Sequence, residues 1–104
     1  MDNSNFTITK QSEAPDVKFE VEGYIIYDTA VQFEKALSDS IATGPDSITL
    51  DMEKVTLFTS VGIRVILKTF KATDAKGIKF HIINPSDTVR SVMDLSSLTD
   101  LLVD

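Results

Sequence analysis

The chain has 104 residues, 42% of them hydrophobic, with ten Lys and Arg against sixteen Asp and Glu, a formal net charge of -6. That length and apolar content suit one cored domain over residues 1–104 and argue against a disordered chain or a multidomain enzyme. The acidic balance disfavours nucleic-acid or anionic-membrane partners, and the absence of cysteine excludes disulfides, thiolate nucleophiles and Cys-ligated metals, with a cytoplasmic location expected.

The first five residues carry neither a basic nor an apolar run, and no apolar stretch is long enough to insert into a membrane. Phe6 to Ile8 reads as a short strand, followed by a polar turn over Gln11 to Asp16 around Pro15. Lys18-Phe19-Glu20-Val21-Glu22 alternates with the period of a half-exposed strand, interrupted at Gly23. Thr29 and Gln32 have capping-box spacing, and Ala30, Phe33, Leu37 and Ile41 recur on one face of a helix. Gly44-Pro45-Asp46 ends it.

The next strand is predicted over Ser47 to Met52, with Val55 to Phe58 extending it or leading away. A second helix is expected from Thr59 or Ser60 to about Ala75, stopped by Gly77, with Ile63, Ile66, Leu67 and Phe70 as its main apolar face, widened by Val61 and Val65. Ile78 to Ile83 reads as a strand, and Asn84 to Asp87 as a turn into a third, short helix with Val89, Val92, Met93 and Leu95 on its apolar side. Leu98, Leu101 and Leu102 suggest a last helical turn or a closing strand. The order predicts an α/β fold: a four- or five-stranded mixed β-sheet with α-helices packed against it. The first two strands form an antiparallel pair and the later ones pair in parallel.

Residues that carry catalysis are scarce. His81 is the single histidine, in mid-strand, so neither a Ser-His-Asp arrangement nor a His-rich metal site can be built. The glycines at 23, 44, 62 and 77 are isolated and form no phosphate loop. No catalytic residue, metal or cofactor is expected. What stands out is Thr59-Ser60, a hydroxyl pair where an apolar run enters a helix. One reading is a helix cap. The other is a modification site, since a helix start accommodates added negative charge without unfolding the domain.

The stretch from Leu50 to Leu67, LDMEKVTLFTSVGIRVIL, resembles the signature of STAS domains, which include the bacterial anti-sigma factor antagonists. Val21-Glu22-Gly23 and Thr29-Ala30 upstream, and Val89 to Leu95 with Leu98 to Leu102 downstream, extend the resemblance over most of the chain. It implies an indirect regulator of transcription that binds an anti-sigma factor which is also a serine kinase. The kinase phosphorylates the serine at the start of the second helix, and a phosphatase restores binding. Matched residue by residue, the phosphoacceptor is Ser60, with Thr59 as the alternative, and Gly62 is the glycine that keeps the helix start accessible. Thr59 and Ile26, the latter after Gly23, stand where the family carries Asp, and Asp28 lies two residues beyond Ile26. Val61 replaces a smaller residue and is expected to cover Ser60 in part. Arg64 is one turn further on, within reach of a phosphate on Ser60. The partner-binding surface implied is Gly23, Ile26, Asp28, Phe58, Thr59, Ser60, Val61, Gly62 and Arg64. Apart from the resemblance, Tyr24, Tyr27 and Phe58 read equally as interface or as core residues. The changes at Ile26 and Thr59 motivate a second reading, an unphosphorylated STAS scaffold or accessory subunit of a transporter or signalling assembly.

Overall fold

The structure, a computed structural model, describes residues 5–103. Five strands form one sheet in sequential order: β1 (Phe6–Ser12), β2 (Asp16–Ile25), β3 (Ser47–Phe58), β4 (Lys79–Ile83) and β5 (Leu102–Val103). β1 pairs antiparallel with β2, and every later pairing is parallel. The crossovers run through α1 (Tyr27–Ala42), α2 (Ser60–Lys76) and α3 (Asp87–Leu95), the last followed by a 3-10 turn at Thr99–Leu101. Crossovers of one hand that all step in one direction put their helices on one face of the sheet.

Burial along the strands agrees with that. Val17, Phe19 and Val21 of β2, Ile48, Leu50 and Met52 of β3, and Phe80 and Ile82 of β4 are buried beneath the helices. Their alternating neighbours, Lys18 and Glu20, Thr49 and Asp51, His81 and Ile83, stay half-exposed on the other face. The helices contribute Phe33 and Leu37, Val65 and Ile66, and Val89 and Met93 to one continuous core. Phe6 meets Phe33 edge to face, with ring centroids 6.4 Å apart.

Several boundaries differ from the sequence reading. β1 continues to Ser12, into the segment from Gln11 expected as a turn, because Thr9, Lys10 and Ser12 pair through their backbones with β2 although their side chains are exposed. β2 is not broken at Gly23. It passes through with φ +98, and a Cβ there would overlap the Asn5 carbonyl, so only glycine lets the chains approach so closely. Tyr24 N–H then donates to that carbonyl at 2.6 Å. β3 is one strand across Val55 to Phe58.

α1 begins two residues before Thr29, which sits at the third helical position and caps from inside: the Ile26 N–H donates to Thr29 Oγ1 at 3.0 Å. α2 is rotated from the expected face. Gly62, Val65, Ile66, Thr69 and Thr73 are buried, while Leu67 and Phe70 are 36% and 38% exposed. Small residues at 62, 69 and 73 let the helix approach its neighbours more closely than the larger side chains would. Gly77 does end α2, in the left-handed region with φ 71. In α3, Ser86 Oγ accepts from Val89 N–H as the N-cap. Leu95 is 89% exposed and does not join the core.

Candidate functional site

Ile25 and Phe58 are register partners at the carboxyl ends of β2 and β3. Each strand passes directly into a helix there, so the first turns of α1 and α2 lie side by side. One backbone carbonyl joins them. Ile25 C=O accepts from Thr59 N–H at 3.2 Å and from Thr59 Oγ1 at 3.0 Å. The Thr59 hydroxyl is therefore spent on β2 and does not cap its own helix, although Thr59 occupies the N-cap position. The first α2 donor to an intrahelical carbonyl is Ile63 N–H, to Thr59 O at 3.2 Å. The amides of Ser60, Val61 and Gly62 precede it and emerge at the helix start, where the dipole is positive. The first turn of α2 holds no acidic residue.

On the other strand end, Thr29 Oγ1 accepts from Ile26 N–H and donates to Tyr24 O at 2.7 Å. This fixes the entry of α1 and with it Tyr27, which is 78% exposed. Val31, one turn on, is exposed as well. Between α1 and α2 lies a groove of about 230 Å³, lined by Tyr27, Ala30, Val31 and Glu34 from α1 and by Val61, Arg64, Val65 and Lys68 from α2. Lys68 and Glu34 pair across it. On the opposite sheet face at the same end, Tyr24 and Leu57 are register partners, both partly exposed.

The sequence-derived site residues divide into a surface set and a supporting set. Ser60, Asp28 and Arg64 are exposed, and Ile26, Thr59 and Val61 are half-buried. Ser60, the first helical residue, is exposed beside the half-buried Val61. Phe58, 3% exposed, presents no surface to a partner. Gly62 is likewise buried: a Cβ there would lie 2.5 Å from Phe58 Cε1 and 2.9 Å from Ile25 Cγ2. Its lack of a side chain lets α2 seat on β2 and β3; accessibility of the helix start is not what it supplies. Gly23 acts through the Asn5 approach. Val31 was missed by the sequence reading because it falls one position off the Ala30–Phe33–Leu37 stripe. Its exposure follows only once α2 leaves the groove open. Among the described residues no group of three or more His, Asp or Glu could hold a metal ion, and no helix is long and apolar enough to cross a membrane.

The STAS domain family model matches residues 6–103. The chain belongs to the STAS domain family. This STAS chain is 26% identical over 100 residues to the anti-sigma-B factor antagonist of Staphylococcus aureus, covering 96% of this chain and 91% of that one. Its fold is that of the anti-sigma factor antagonist SpoIIAA in its unphosphorylated form, with a TM-score of 0.81 at 22% identity over 95% of this chain and 86% of SpoIIAA. It also matches the Bacillus cell fate determinant SpoIIAA in the phosphorylated form, with a TM-score of 0.75 at 22% identity over 95% of this chain and 89% of that one. An anti-sigma factor antagonist from Mycobacterium paratuberculosis superposes with a TM-score of 0.85 at 21% identity, over 97% and 86% of the two chains.

Proposed function

We propose that this STAS chain is an anti-sigma factor antagonist that docks the paired starts of α1 and α2 on an anti-sigma factor and is released when Ser60 is phosphorylated. The observation that carries the reading is the division of labour between the two hydroxyls. Thr59 Oγ1 is half-buried and donates to Ile25 O, whereas Ser60 is exposed at the first position of α2. A kinase that transfers the γ-phosphoryl group of ATP to Ser60 Oγ displaces ADP and takes the hydroxyl proton, and breaks no bond of the fold. The same transfer to Thr59 costs the hydroxyl's bond to Ile25 O on β2. The product adds about -1.5 to -2 charge. Screening within about 8 Å at physiological salt confines its effect to the docking surface, so release comes from local clash and desolvation rather than from the molecule's overall charge.

The partners in this reading are an anti-sigma factor with serine kinase activity and a phosphatase that resets the switch. Phosphosite mapping on the protein isolated from its native cell tests it. Phosphate on Ser60, absent from Ser60→Ala, together with loss of a co-purified anti-sigma factor from Ser60→Asp, is the expected result. Thr59 alone carrying phosphate sinks the choice of acceptor. No phosphate at either position, with recovery of a transporter or signalling assembly, favours the scaffold reading suggested by Ile26 and Thr59.

A further inference from the structure

The α1–α2 groove has an uneven charge balance. Ala30, Val31, Val61 and Val65 make it apolar, and its charged members are Glu34, Lys68 and Arg64. Glu34 and Lys68 neutralise one another as an ion pair. Among the described residues no carboxylate lies within ion-pair distance of Arg64, which is exposed one helical turn from Ser60. The carboxylate of Asp28 lies outside the groove lining. A chain of net charge -6 therefore presents a local surplus of one positive charge on an apolar wall. At about 230 Å³ the groove is smaller than the roughly 300–1,000 Å³ usual for small-molecule sites. It suits a side chain or two of a protein segment.

We propose that Arg64 anchors a carboxylate on the docking partner, and that the occupant of the groove is a protein segment in which an apolar side chain is flanked by Asp or Glu. The apolar side chain lies on Val31 and Val61 under the ring of Tyr27, and the guanidinium takes the carboxylate in a bidentate pair. This deepens the docking reading above, on which its biological role rests, and adds a reason for release. Positions four apart on a helix are neighbours, so a phosphate on Ser60 competes for the same guanidinium and withdraws the anchor from the partner. Switching then needs no change of backbone, only a change of which anion Arg64 holds.

The test is an amide-shift titration of the full chain with a short capped peptide carrying leucine beside glutamate. The control peptide has lysine in place of the glutamate. Saturable shifts at Val31 and Val61 with the glutamate peptide alone are expected. Binding should weaken tenfold or more in Arg64→Gln, recover in part in Arg64→Lys, and vanish when phosphoserine is incorporated at position 60. An unchanged amide spectrum away from the groove shows that the variants fold. Equal response to the lysine peptide, or to Arg64→Gln, overturns the anchor. So does equal response to N-acetylglutamate, which marks a small-anion site, and so do groove shifts that grow with protein concentration alone, which mark a second copy as the occupant. Peptide binding that persists with phosphoserine at 60 overturns the competition. Failure here with Ser60 phosphorylated in cells leaves the docking reading standing. Peptide recognition through Arg64 with no cellular phosphate at Ser60 removes the switch and keeps the anchor.

Discussion

Gly62 shows how one missing side chain shapes a surface to which it contributes no side chain of its own. The α2 start is drawn against Phe58 and Ile25 until no room for a Cβ remains. Gly62→Ala is expected to destabilise the fold by about 1–3 kcal/mol through overpacking, despite the gain in helix propensity. Urea unfolding monitored by circular dichroism measures this. A neutral or stabilising result means that Phe58 swings aside and that the tight seat is unnecessary. Position 62 was legible from the sequence as part of a signature, but its reason was not. The atoms it avoids come from two strands, one of them distant in the chain.

Helix starts carry a similar lesson. The hydroxyl signals at Thr29 and Thr59 mark the right turns of chain, yet neither acts as a hydroxyl at the N-cap usually does. Thr29 works from the third helical position, and Thr59 bonds to β2. Local spacing reveals a nearby helix start and cannot say which carbonyl a hydroxyl reaches. Thr29→Val removes the acceptor for Ile26 N–H and the donor to Tyr24 O, in a buried position. We expect it to lower stability by about 1–3 kcal/mol, the cost of leaving a buried polar group unpaired, and to broaden the amide signals of Tyr24 to Tyr27. Sharp, unshifted signals there exclude Thr29 as the fixing point. α1 and β4 were the most legible elements because each buries one side of a strong apolar period. The face of α2 was legible in part: Val65 and Ile66 are buried as expected, but large side chains dominate a periodicity argument, so Leu67 and Phe70 were included while Gly62, Thr69 and Thr73, which the packing accepts, were not.

At the scale of the molecule, the sheet has a helix-covered face and an open one, so neighbouring residues of one strand carry unequal weight. Leu50→Ala empties a fully buried site and is expected to cost about 2–5 kcal/mol. Thr49→Glu, next in the chain, lies between Lys18 and His81 on the open face and is expected to change stability by less than about 1 kcal/mol. Comparable losses from both, measured as thermal unfolding midpoints, contradict a one-sided core. The alternation of Lys18 to Glu22 marked β2 as half-exposed in advance, but that all three helices share one face was not readable before the topology was known. The exposed second half of β1 was hidden because its side chains show no apolar alternation, although its backbone pairs with β2.

The Ile25 carbonyl, accepting twice from Thr59, ties the chemistry of position 60 to a strand far away in sequence. On the proposed switch at Ser60, a genetic screen for loss of regulation with the protein still abundant is expected to return changes in two clusters. One surrounds Ser60. The other lies at the end of β2, where a shift of the Ile25 backbone misdirects the serine without altering it. Such alleles would look unrelated on a linear map, although the Thr59 bonds to Ile25 O join them in space.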